Sequence, residues 1–324
     1  MTKEPIEKRE ILARTEDLTN EHKLQAQFAL AAFATLKAKN VTYVSVPITS
    51  GPRLYDFMDK YKYKTAAEAK DHPKKFFNEV VEPNLAQGVA GSAYWVEKLH
   101  GTVIAPAEFE GRLRRQWGTI DWAQDDFMGM WVPLIDEKVT NMVMLDGWQY
   151  SNGSGEEYLQ ATLMQMARRP RSDITIMDGE EGRPIKLDEG LTLMSAAFKD
   201  VISRGIQPRN MAETLGILLE AEARFNLEQT TGKKDAIPAI SPDSSDPRAA
   251  THNVLPYDHA KVAAIAKEIW PLIDQHFPDI RKKLDVTSSY DFSPINAVFR
   301  DVVKPIQQVI EFPKFKQKKP APAR

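Results

Sequence analysis

Two adjacent carboxylates, Glu156 and Glu157, stand directly behind a Gly- and Ser-rich stretch, Ser151-Asn152-Gly153-Ser154-Gly155. An apolar run over residues 139–145 precedes that stretch and breaks off at Asp146-Gly147. Helical periodicity over residues 156–168 follows it. Strand, Gly-rich turn and helix is the arrangement by which open α/β sheets build ligand sites at the carboxyl ends of their strands. Such a turn offers backbone N–H groups to an anion, and here it delivers a carboxylate beside them. Phosphate binding and a nucleophile or acid/base could share this one loop. The same pair also suits a helix start without any chemistry, because the helix dipole favours negative charge there.

Two other segments carry candidate groups. Tyr43 lies in a run rich in β-branched and aromatic residues, 41–48, which reads as a buried strand. Thr49-Ser50-Gly51-Pro52 follows as a turn and, with Arg53, offers hydroxyl, amide and guanidinium donors suited to an oxyanion. Asp125 and Asp126 stand near the start of a helical pattern over 122–137, where an acid serves either as a proton donor or as a helix cap. Trp148, next to the Gly-rich loop, is placed to stack on a planar ring or to pack. Arg112, Arg114 and Arg115 read as a solvated face. The six histidines show no metal-ligand spacing, so no metal is expected. With no cysteine, thiolate sites, disulfides and a Cys nucleophile are excluded. No P-loop, no Gly-x-Ser-x-Gly elbow and no dinucleotide fingerprint occurs, so no cofactor is expected.

The elements that must position these groups alternate. Strands are expected at 41–48, 102–107, 139–145 and 173–177. Helices are expected at 17–39, at 73–99 with a break near Pro83 and Gly88–Gly91, at 122–137 with a kink at Pro133, and at 156–168. This order predicts an α/β, Rossmann-like open parallel sheet with flanking helices. Beyond about residue 187 the texture becomes helical, with patterns at 191–204, 210–229 and 259–277 and a Pro/Ser/Asp-rich linker over 232–256. The expected organisation is an N-terminal helical segment (1–40), an α/β domain (41–187), a helical C-terminal region (188–312) and a basic, Pro-rich tail (313–324).

The three chemical segments resemble the nucleoside 2-deoxyribosyltransferase superfamily, which includes the 2′-deoxynucleoside 5′-monophosphate N-hydrolases. The shared features are a first strand carrying a Tyr, a helix start of the form Asp126-Phe127-Met128-Gly129-Met130, and a Glu preceded six residues earlier by Asp or Ser, here Glu157 and Ser151. The resemblance covers about residues 41–185. It departs in the first loop, Val46-Pro47-Ile48-Thr49-Ser50-Gly51, which is not the Gly-rich form, and in the Lys/Tyr-rich insertion over 53–73. The resemblance implies Glu157 as nucleophile, Asp126 as the group assisting departure of the base, and Tyr43 as the residue orienting Glu157 or the sugar. It also implies substrate binding by Ser151, Asn152, Gly153 and Ser154, by Ile48, Thr49, Ser50, Gly51 and Arg53, and by Trp148, in a homo-oligomer. Family members with Ser at position 151 tend to act on 5′-monophosphates, since a carboxylate there would repel a phosphate. The expected activity is hydrolysis of the base–sugar bond of a (deoxy)nucleoside 5′-monophosphate. Base exchange and a non-catalytic nucleotide-binding module are the alternatives, and a larger nucleotide such as NAD would need a wider pocket.

Bulk properties add bounds. The 324 residues suffice for one large domain or two ordinary ones. A net charge of −2 gives no reason to expect a nucleic-acid partner. The N-terminal residues mix both charge signs and do not read as a signal peptide. No apolar run approaches the roughly 18 residues of a membrane helix, and a cytoplasmic protein is expected.

Overall fold

The structure is a computed structural model that describes residues 29–30, 32–33, 36, 40–117, 124–166, 174–231 and 256–286, with the side chains at 112–117, 124–126, 228–231, 283, 285 and 286 excepted. The expectations for most of the 17–39 helix, the 232–256 linker, the region beyond 286 and the 313–324 tail lie outside the described residues. So do those for the side chains of Arg112, Arg114, Arg115, Asp125 and Asp126.

Four strands form a parallel sheet: β1 (Val41–Ser45), β2 (Thr102–Ile104), β3 (Asn141–Met144) and β4 (Thr175–Asp178). Their spatial order is β2-β1-β3-β4. In register, Tyr43 faces Ile104 on one side and Met142 on the other, and Met144 pairs with Asp178. All of β1 is buried, as expected where helices cover both faces of a parallel sheet. The strands are shorter than expected. The apolar residues Val46 and Ile48 continue into the β1 loop, and Pro47, without an N–H, cannot extend the ladder.

The helices are α1 (Pro52–Tyr61), α2 (Ala66–Lys70), α3 (Pro73–Phe76), α4 (Glu82–Leu99), α5 (Pro106–Trp117), α6 (Gln124–Lys138), α7 (Asn152–Met166), α8 (Leu187–Ser203), α9 (Arg209–Thr231), α10 (His259–His276) and α11 (Pro278–Val286). The Lys/Tyr-rich insertion is therefore mainly helical. A π-helical turn, Phe77–Val81, joins α3 to α4. Pro83 sits in the first turn of α4, where its missing N–H is tolerated. Gly88 and Gly91 do not break α4. They let it lie close to its neighbours: a Cβ on Gly88 would meet Ala107 at 2.3 Å, and one on Gly91 would meet Leu145 at 2.5 Å. α6 runs through Pro133 as one helix.

The chain is thus α/β, with a helical C-terminal region packed against the sheet layer. α7 lies between α6 and α9, and most of its residues are buried. Leu191, Met194 and Phe198 of α8, Leu215, Leu218 and Leu219 of α9, and Ile269 and Ile273 of α10 join the core cluster of the sheet. Polar clasps reinforce this packing. Lys261 on α10 donates to buried Asp188 on α8 at 3.1 Å. Arg204, at the end of α8, bonds Asp200, Asp56 and Asp59 and so ties α8 to α1. None of the described helices is long and apolar enough to cross a membrane.

Candidate active site

In the order β2-β1-β3-β4, the connection leaving β1 goes one way and the connection leaving β3 goes the other. The crevice between the carboxyl ends of β1 and β3 is therefore the topological switch point, where open α/β sheets bind ligands. The loops after β1 and β3 border it and interlock. Gly51 has φ 88°, and a Cβ there would meet Pro47 at 2.6 Å. Gly147 has φ 82°, and a Cβ there would meet Pro52 at 2.8 Å. Both positions require glycine by backbone angle and by contact.

Glu157 projects from α7 to the end of β1. Its carboxylate accepts a hydrogen bond from Tyr43 Oη at 2.5 Å and another from Ser45 Oγ at 2.5 Å. Tyr43 and Ser45 stand two apart on β1 and so share one face of the sheet. Only 5% of Glu157 is exposed. Burial drives its pKa up to about 7; the bonds from Ser45 and Tyr43 oppose that rise, and the fields of Glu110 and Glu156 add to it. Burial, with Glu157 and Glu110 nearby, also holds the Tyr43 phenol well above its usual range, so it stays protonated and donates.

Glu157 opens into a small, partly open pocket of about 60 Å³. Phe127, Met128, Trp131 and Pro106 supply an apolar wall, and Ser50 and Ser151 of the loops and Ser154 of α7 supply hydroxyls. Glu110, itself 5% exposed, is also in the wall. Two carboxylates from different helices thus face one cavity, the layout from which acid/base pairs and glycosidase centres are made. Among the described residues, no cluster of His, Asp and Glu could hold a metal ion.

α7 begins at Asn152, four residues before the expected start. Ser151 is its N-cap: Ser151 Oγ accepts from the Ser154 N–H at 3.3 Å and from Ser50 Oγ at 3.0 Å. Glu157 therefore lies in the second turn, on the buried face of the helix. Residues 151, 154 and 157 fall three apart on that face, so hydroxyl, hydroxyl and carboxylate form one row along the pocket.

The expected site residues divide. Ile48, Thr49, Ser50, Ser151, Gly153, Ser154 and Glu157 line the pocket. Tyr43 stands behind Glu157 as its donor. Asn152 and Gly51 belong to the framework of the two loops and are not in the wall. Phe127 and Met128 of the Asp126 segment line the pocket, whereas the Asp126 side chain lies outside the described residues.

Two residues are placed differently from expectation. Arg53 does not face the pocket; its guanidinium donates to Asn84 Oδ1 and Gln87 Oε1, each at 2.6 Å. Those amides on α4 carry the loops: Asn84 donates to the carbonyls of Ile48 and Ser50, and Gln87 donates to that of Asp146. Trp148 is buried, with its ring centroid 4.6 Å from that of Tyr158, and it packs there instead of lining the pocket. Replacing buried Asn84 with Ala would strand two loop carbonyls and leave the Arg53 guanidinium with Gln87 alone. It is expected to lower stability by about 1–3 kcal/mol. Urea denaturation would measure this, and an unchanged midpoint would show that the loops stand without the amide.

Two contributors were missed. Ser45 reads as one more small residue in a strand, although its spacing of two from Tyr43 is a usable signal. Glu110 lies in a polar stretch that carries no expected element but forms α5, where Ala107, Glu110 and Gly111 make a buried stripe at helical spacing.

No protein-family model, no curated protein and no solved structure matches this chain.

Proposed function

We propose that this protein is an N-glycosidase that hydrolyses the base–sugar bond of a (deoxy)nucleoside 5′-monophosphate, with Glu157 as nucleophile. The observation that carries this reading is the carboxylate of Glu157. It is buried at the switch point and held by Tyr43 and Ser45, with a second carboxylate, Glu110, in the same pocket. In the first step an ionised oxygen of Glu157 forms a bond to C1′ as the bond from C1′ to the base nitrogen breaks. The departing base takes its electron pair and receives a proton from an acid of the site, Asp126 or Glu110. In the second step water adds to C1′ and loses a proton to the same group, now acting as base. Glu157 is released, and the products are free base and sugar phosphate. The two donors, one on each oxygen of Glu157, hold the carboxylate in place and favour its ionised form. The hydroxyls of Ser50 and Ser151, at the N-terminus of α7, suit the phosphate.

The test is release of free base from a panel of ribo- and deoxyribonucleoside 5′-monophosphates, with and without a second base. Base release without an acceptor supports hydrolysis. Faster exchange on unphosphorylated nucleosides points to a transferase. Tight binding with no turnover, unaffected by Glu157→Gln, points to a binding module. A pH profile tests the role of Glu157 separately. A nucleophile must be ionised, so kcat/KM should rise with pH about a midpoint near 7, the pKa of Glu157 in the fold. A profile that instead falls through 7 would make Glu157 the general acid.

A further inference from the structure

Ser154 is 2% exposed and lies in the pocket wall, and its Oγ has no hydrogen-bond partner among the described residues. Buried hydroxyls are ordinarily satisfied, because leaving one unpaired costs about 1–3 kcal/mol. Ser154 is unlike Ser151, whose Oγ already accepts from the Ser154 N–H in capping α7 and from Ser50, with its O–H left to donate. The cap takes the Ser154 backbone N–H and leaves the side chain uncommitted. The indole N–H of Trp131, another wall residue, is likewise buried without a partner among the described residues. Two polar groups on different helices of one pocket thus have hydrogen-bonding capacity that the described protein does not use.

The position of Ser154 says what it would meet. It is one turn before Glu157 and one turn after Ser151 on the same face of α7. With about 1.5 Å of rise per residue, its neighbours on either side are each about 4.5 Å away along the axis. A ligand with C1′ at Glu157 and its 5′-phosphate at Ser151 would run its sugar ring past Ser154. We propose that Ser154 is a specificity-determining residue that hydrogen-bonds a ring hydroxyl of the sugar, so that the site reads a hydroxylated pentose phosphate. This proposal rests on the nucleotide reading of the site.

The experiment is calorimetric titration of the Glu157→Gln protein, which should hold substrate without turnover, with and without Ser154→Ala. The probes are ribo-, 2′-deoxyribo- and 2′,3′-dideoxyribonucleoside 5′-monophosphates of each common base. With Ser154 present, loss of one of the two hydroxyls should weaken binding about tenfold. With Ser154→Ala that step should disappear, while the dideoxynucleotide binds both proteins equally. A hydroxyl step of the same size in both proteins, or equal weakening of all three probes by Ser154→Ala, would overturn the assignment and leave the nucleotide reading intact. Failure of every probe to bind either protein would remove both.

Discussion

Glu157→Gln should abolish turnover and, above pH 7, make the protein more stable. Gln cannot form the glycosyl ester, so kcat should fall by at least roughly 10³-fold. The stability effect follows from the folded-state pKa. An unfolded Glu titrates near 4.5, and Glu157 in the fold near 7. Between those values the folded state binds the extra proton, so stability declines as pH rises from about 4.5 through 7. Above 7 the penalty is fully present, on the order of 3 kcal/mol. Gln is close in shape to the protonated acid and carries no ionisation penalty. Thermal unfolding of the variant should match wild type near pH 5 and exceed it by several degrees at pH 8. Such a trade is expected where a site holds a group in a destabilising environment for its chemistry. Lower stability at pH 8 would mean that the bonds from Tyr43 and Ser45 outweigh the burial of charge.

Gly190→Ala should damage both stability and activity from a position on the helical C-terminal region. A Cβ at Gly190 on α8 would lie 2.0 Å from Tyr158 Oη and 2.4 Å from its Cζ. Tyr158 is buried and pinned on its other side by Trp148. It therefore cannot withdraw, and either α8 or α7 must shift. In an ordinary helix, Gly to Ala would stabilise by about 0.5–1 kcal/mol. Here overpacking should reverse the sign, for a net loss of about 1–3 kcal/mol by urea denaturation. Tyr158 adjoins Glu157 in sequence on α7, so a shift of α7 moves the carboxylate against Tyr43 and Ser45. A fall in kcat is expected without loss of the fold. Combining Gly190→Ala with Tyr158→Phe removes the nearest clashing atom and should recover part of the stability. No effect from Gly190→Ala would mean that α8 and α7 are not rigidly coupled.

The helical C-terminal region thus has a structural consequence that its sequence does not announce. Its periodicity shows amphipathic helices, but not that α9 would press on the helix bearing Glu157. α7 is thereby held between α6 and α9, helices far apart in the chain.

The start of α7 makes the same point locally. Ser-Asn-Gly-Ser-Gly has low helix propensity and reads as loop. In the fold those residues are the cap and first turn of a helix, because tertiary burial outweighs intrinsic preference over so short a stretch. The misplaced start put Glu157 at the head of the helix; its true place in the second turn lets it reach β1. Arg53 misled for a related reason. Its chemistry suits a phosphate, but two amides on α4, 31 and 34 residues away, take its guanidinium.

The sequence by itself determined the alternation of strands and helices, the parallel α/β class and the six-residue spacing of Ser151 and Glu157. These depend on local periodicity and on residues within a few turns of one another. The tertiary structure decided the strand order that makes β1 and β3 the switch point, the donors Tyr43 and Ser45 on a carboxylate more than a hundred residues away, and the presence of Glu110 in the same pocket. Desolvation and charge proximity depend on distance in space, and a chain folded in layers brings together groups whose separation in sequence carries no signal.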